Sequence, residues 1–193
     1  MVRDPARYNA GVTLLELAVA MGIFTALMGV LFSVSLSLGD SARVHDVKVN
    51  AGDEARRALL LLTPRLRQAA AGSINTEQLP GEVLRFRMAD DLDGNGTAVN
   101  AGNALELGPE IAVLRDDNDL NEDGLTASQL ILIDGDRVRV LANNLAAPRT
   151  GPDAGFLVEA VEGRISVTVR TEGHSRRGHP ISQSLTQLVT PRN

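Results

Sequence analysis

Two short segments of this chain set oxygen-bearing side chains at alternate positions: Asp91, Asp93 and Asn95 before Gly96, and Asp119, Asn121 and Asp123 before Gly124. Side chains spaced in this way can converge on one hard cation while the glycine permits a sharp turn, so the chemistry to expect is binding of Ca2+. Both patterns are incomplete. The twelfth positions are Gly102 and Leu130 where a bidentate glutamate would complete such a loop, so a site would draw an acid such as Glu106 or Glu122 from elsewhere. The second segment, next to Asp116 and Asp117, has the denser set of carboxylates. Asp, Asn and Gly also build ordinary solvated turns.

Other chemistries find little support. The histidines are His45, His174 and His179, the last two in a loop punctuated by Gly, Ser and Pro, and two histidines without a third ligand make a poor metal shell. No zinc-peptidase, nucleophile-elbow, P-loop or dinucleotide motif occurs, and there is no cysteine to act as nucleophile, thiolate ligand or disulfide. The chain is therefore not expected to be an enzyme, nor to need a cofactor beyond that possible calcium. A net charge of −5 with no long Lys/Arg run speaks against a nucleic-acid partner, and 3% aromatic content speaks against a stacking platform for bases or sugars.

One more acid stands out by its surroundings. Glu16 is the only charged residue in the apolar stretch that begins at Val12, and residues 17–39 are uncharged and mostly apolar. At 1.5 Å per residue such a helix spans a hydrocarbon core of about 30 Å. A carboxylate near the end of a membrane span costs about 2–3 kcal/mol even on lenient scales, so Glu16 calls for a partner. Arg3 and Arg7 precede the span, and the positive-inside bias puts the N-terminus in the cytoplasm and the bulk of the chain outside.

The elements beyond the span follow from periodicity. Ala55, Leu59, Leu62, Leu66 and Ala69 recur at helical spacing on one stripe, with Arg56, Arg57, Arg65 and Arg67 elsewhere, which predicts an amphipathic helix over 40–72. Gly52 is its soft point, Thr63-Pro64 either kinks it or starts a fresh turn, and Gly72 is a plausible cap. From Leu79 the period drops to two: Leu84, Phe86 and Met88 alternate with arginines, as do Val138 and Val140, while Ile165, Val167 and Val169 alternate with Ser166 and Thr168. Asp134-Gly135 reads as the turn of a hairpin between 130–133 and 137–141. The strands are expected to form one antiparallel sheet on the helix.

Residues 11–17, GVTLLEL, resemble the type IV prepilin processing site. The resemblance implies that a membrane prepilin peptidase and N-methyltransferase cuts after Gly11 and methylates the new amine at Val12, with Glu16 as the fifth mature residue and the acid used in assembly. Val12 stands where phenylalanine is commonest, and no proline interrupts 12–39. The α-ammonium created at Val12 and the Glu16 carboxylate each need a counter-charge in apolar surroundings, so Glu16 of one subunit could pair with Val12 of its neighbour. Such a contact is heterologous and extends without closing. The segments DEARRALLLLTPRLRQA at 53–69 and LVTPRN at the end resemble W-type minor pilins and J-type minor pseudopilins.

The expected protein is α+β, with a long N-terminal helix, apolar in its first half and amphipathic in its second, packed on a C-terminal antiparallel β-sheet head. Its parts are a leader over 1–11, a filament-core helix over 12–39, an amphipathic helix over 40–72 and a head over 73–193. The resemblance implies a minor pilin or pseudopilin that joins other pilin-type subunits in pilus biogenesis or type II secretion. It would sit in the bacterial inner membrane with its head in the periplasm, then in an envelope filament. The competing expectation is a single-span envelope protein that never polymerises and binds calcium or a ligand through its head.

Overall fold

The computed structural model describes residues 13–76, 79–100, 102–126, 128–147, 153–176 and 178–192, so the processing residues Gly11 and Val12 lie outside the described residues. Helix α1 (Leu14–Gln68) leads into a 3-10 turn (Ala71–Ser73) and seven strands: β1 (Val83–Ala89), β2 (Leu107–Arg115), β3 (Leu130–Asp134), β4 (Arg137–Ala142), β5 (Phe156–Val161), β6 (Arg164–His174) and β7 (Pro180–Val189). The chain forms two compact units, Met1–Arg43 and Val44–Asn193.

Within the first unit α1 has no cover. Each of its side chains is exposed, Phe32 at 68% and Leu31 at 62%. Alanine, leucine and methionine favour the helix, and the absence of proline leaves its hydrogen bonds unbroken. By length and composition this stretch can cross a membrane.

Within the second unit the same helix buries a stripe of small and branched residues: Ala51, Ala55, Ala58, Leu59, Leu62 and Leu66. Helical spacing brings them to one face, where they join one core with Leu84, Phe86, Ile111, Val113, Leu132, Phe156, Val158, Val167 and Val169. Fully burying a leucine or phenylalanine here contributes about 1.5–3 kcal/mol before the entropy of ordering is subtracted.

Several expectations need correction here. One helix runs on through Gly39 and Gly52, as expected of the long N-terminal helix, but Pro64 lies inside it, so no fresh helix starts there. Proline's φ already suits the helix, and its cost there is the donor that the Leu60 carbonyl would have received together with the crowding of that carbonyl by the ring. The helix ends at Gln68, before Gly72, because the next residues turn to β-type pairing. Ala69 bridges to Met88 and Ala70 to Arg192, with Ala70 N–H donating to the Arg87 carbonyl at 3.1 Å. Gly72 is in the 3-10 turn and caps nothing.

There are also two antiparallel sheets where one was expected, in the orders β1-β2-β3-β4 and β5-β6-β7. They meet at two isolated bridges: at one, Gly81 N–H donates to Val158 O (3.0 Å) and Val158 N–H to Gly81 O (2.8 Å), and at the other Leu145, just after β4, pairs with Thr171 of β6. Periodicity names the strands but is silent on where a ladder stops, and between the sheets the pairing narrows to these bridges. The β3–β4 hairpin closes through Gly135 and Asp136, with Gly135 at φ 58°. In β5–β6 the loop is Glu162 (φ 51°) and Gly163 (φ 75°), the double left-handed form that matches strand twist.

Candidate functional site

The first turn of α1 holds a reciprocal hydrogen-bond pair. Thr13 N–H donates to Glu16 Oε2 at 2.9 Å, the Thr13 hydroxyl donates to the same oxygen at 3.0 Å, and Glu16 N–H donates to Thr13 Oγ1 at 3.2 Å. Threonine followed three residues later by glutamate is a capping box, in which each side chain satisfies an amide that the helix start leaves without a partner. Its negative charge also sits at the positive end of the helix dipole. The T-x-x-E spacing is the sequence signature of such a cap, a second role for a glutamate that its apolar surroundings mark only as a charge in need of a partner. Glu16 is thus partnered within its own chain, at the head of a helix whose apolar side chains are uncovered.

The acidic segments form two tight loops of similar design. In the first, Asp91 accepts from the amides of Asn95 (3.0 Å) and Gly96 (2.8 Å), and Asn95 Oδ1 accepts from Thr97 N–H (2.8 Å). In the second, Asp119 accepts from the amides of Asp123 (2.9 Å) and Gly124 (3.1 Å), and Asp123 accepts from Leu125 N–H (2.9 Å). Gly96 (φ 85°) and Gly124 (φ 82°) take the left-handed conformation that the turn requires. Each carboxylate therefore supports its own turn.

Beyond that shared design the loops diverge. Asp91, Asp93 and Glu106 offer oxygens within 4.8 Å of one another, the one such trio of ligand-type residues among the described residues. Glu106 is anchored there as acceptor of Leu92 N–H at 2.7 Å. The sequence favoured the second loop, but there the neighbouring carboxylate Asp116 is fully buried and turned inward, accepting from Leu120 N–H at 2.9 Å. Gln129 Nε2 donates to Asp123 Oδ2 at 2.8 Å, and this bond, with the Leu125 amide, holds the Asp123 carboxyl below its ordinary pKa. Asn121 Nδ2 donates to Asp123 and to Gln129, while Asn121 Oδ1 is buried with no hydrogen-bond partner among the described residues.

Beside this loop Arg115 is 4% exposed, and its Nη2 donates to the Ala146 carbonyl at 2.6 Å. Burial lowers its pKa, opposed by the charges of Glu82 and Asp117. Glu54, on α1, accepts from Asn143 N–H at 2.8 Å, and the Thr171 hydroxyl donates to the Ala51 carbonyl. These contacts tie the helix to the loop after β4 and to strand β6, far away in sequence, and nothing local in the sequence announced them. His174 lies 3.7 Å from Glu172.

The chain thus joins an apolar helix long enough to cross a membrane, capped at its start by Thr13 and Glu16, to a unit built of two antiparallel sheets. Residues 6–32 match the family described as the prokaryotic N-terminal methylation motif, which supports a type IV pilin-like protein. That motif implies processing by prepilin peptidase, and with the apolar helix it fits a membrane-anchored protein. No curated protein and no solved structure matches the chain significantly.

Proposed function

We propose that this chain is a minor type IV pilin or pseudopilin that assembles through its N-terminal helix into an envelope filament, serving pilus biogenesis or type II secretion. The observation that carries this reading is the position of the Thr13–Glu16 cap, inside the matched 6–32 motif and at the start of a helix whose side chains are exposed over 14–43. Cleavage after Gly11 would leave an ammonium at Val12. In the assembled state Glu16 would exchange its local amide for a neighbour's ammonium, an ion pair that gains strength in the low dielectric of packed helices. The apolar faces would supply the packing area, with other pilin-type subunits as partners, and the role is one of assembly with no catalytic step. The head would be exported from the inner membrane to the periplasm.

Intact mass and N-terminal sequencing of the chain from membranes of a host with prepilin peptidase test the first step. A mature start at methylated Val12 is expected, and a start at Met1 would overturn the reading. Glu16→Gln then separates capping from charge, since glutamine still completes the box but cannot pair with an ammonium. Expected is normal helix content with loss of assembly.

A second reading, a non-polymerising single-span protein whose head binds calcium, is favoured by the convergence of Asp91, Asp93 and Glu106. Thermal unfolding of the full chain with millimolar Ca2+ tests it, because a ligand of the native state must raise the midpoint. A rise that Glu106→Gln abolishes would support this site, whereas an unchanged midpoint would remove it.

A further inference from the structure

Sheet edges are hazards that proteins normally blunt with charge, brevity or cover, because unpaired backbone groups invite a further strand. Of the four outer strands of the two sheets, β1 and β5 have bridged residues at or beside their outer sides, and the remaining two, β4 and β7, differ. Strand β4 is six residues long and carries Arg137 and Arg139. Strand β7 is ten residues long, PISQSLTQLV, without a single charge, and among the described residues nothing pairs with its outer side. In an antiparallel ladder alternate residues direct both N–H and C=O away from their partner, so β7 offers a row of such groups.

A groove of about 470 Å³ runs beside this edge, between β7 and the helix. Leu60, Pro64 and Leu185 give it an apolar wall, and Leu60 is 67% exposed, which is unusual for a leucine on the packed part of a helix. Arg56 and Arg67 are exposed in the lining, which includes no acid, and neither has an ion pair among the described residues. An open edge, an apolar wall and two unneutralised cations together describe a receptor for an extended strand that alternates apolar and acidic side chains.

We infer that β7 and this groove bind an acidic extended segment of a different subunit, which adds to the sheet as an eighth strand. A second copy of this chain is a poorer fit: of its outer strands β1 and β4 carry arginines, β7 carries no charge, and β5 carries the lone acid Glu159 beside the Val158 bridge, while pairing β7 with β7 would set Arg56 and Arg67 against their own counterparts. Backbone hydrogen bonds would supply affinity and the arginines the choice of partner. The inference rests on the head alone and stands whether or not the chain polymerises.

The test uses the full chain in detergent micelles with a capped nonapeptide of alternating Val and Glu as probe. Expected are binding by fluorescence anisotropy, slowed amide exchange at alternate residues of β7, and roughly tenfold weaker binding of the peptide with Lys in place of Glu. The double variant Arg56→Glu/Arg67→Glu, exposed at both positions, should reverse that preference, and N-methylation along one edge of the peptide should abolish binding. Equal binding of the Glu and Lys peptides, unchanged exchange in β7, or displacement by a nine-nucleotide oligo-dT at equal concentration would overturn the inference.

Discussion

The two stretches of α1 share one backbone and one helical geometry, yet their side chains meet opposite surroundings. Residues 14–43 are exposed throughout, while from Ala51 onward every third or fourth residue is buried at 8% exposure or less. The difference lies in what the second unit supplies. Strands fold back on residues 51–68 and satisfy them within the chain, whereas the apolar surface upstream has no cover within its own unit. A helix with such a contrast has stability at one end and unspent hydrophobic surface at the other, which suits a membrane.

Substitutions can break this comparison. Leu62→Ala, at a fully buried position, should cost the head about 2–5 kcal/mol in denaturant unfolding, whereas Leu27→Ala should leave the head's midpoint unchanged. A large effect of Leu27→Ala would mean that the upstream stretch is covered after all. Next in size is a pair of glycines. A Cβ at Gly173 would meet Val47 Cγ1 at 2.5 Å, so Gly173→Ala should cost about 1–3 kcal/mol, while Gly22 has nothing within 4 Å and Gly22→Ala should raise helix content without cost. Circular dichroism and thermal melts read both.

Smaller again is Glu54→Ala, which removes the acceptor of the Asn143 amide and should cost about 1 kcal/mol. Glu16→Ala removes a corresponding amide acceptor in the exposed stretch and should show only as faster amide exchange in the first turn, with the head unaffected. The smallest expected effect is on pH. The Asp123 carboxyl is held below its ordinary pKa, so its contribution is complete above about pH 4 and is lost as pH falls through the folded value. Protection of the amides in the 119–125 loop, taken relative to their intrinsic exchange rates, should fall only at such acid pH, and Asp123→Asn should flatten that response.

Much of the head was legible because local patterns carried it. The stripe Ala55, Leu59, Leu62, Leu66 and Ala69 is buried as its spacing demands, and so are Ile165, Val167 and Val169 along β6. The division into two sheets was not legible, since it depends on where β1 and β5 diverge after a single bridge. In the candidate site, the glutamate and its threonine cap lie within one helical turn and could be read directly. Arg56 and Arg67 are more than a hundred residues from β7 and share no local signal with it.

The sequence by itself determined what short-range periodicity and composition can encode: the uncharged span, the single acid at its start, the amphipathic stretch and the alternation of the strands. These depend on residues within a few positions of each other, where backbone geometry alone says which side chains share a face. Only the tertiary structure decided which carboxylates converge, with Glu106 joining Asp91 and Asp93 while Asp116 turns inward, and which sheet edge stays open beside the arginine-lined groove. Those outcomes depend on long-range strand pairing and packing, whose free energy is shared among many residues and belongs to no local motif.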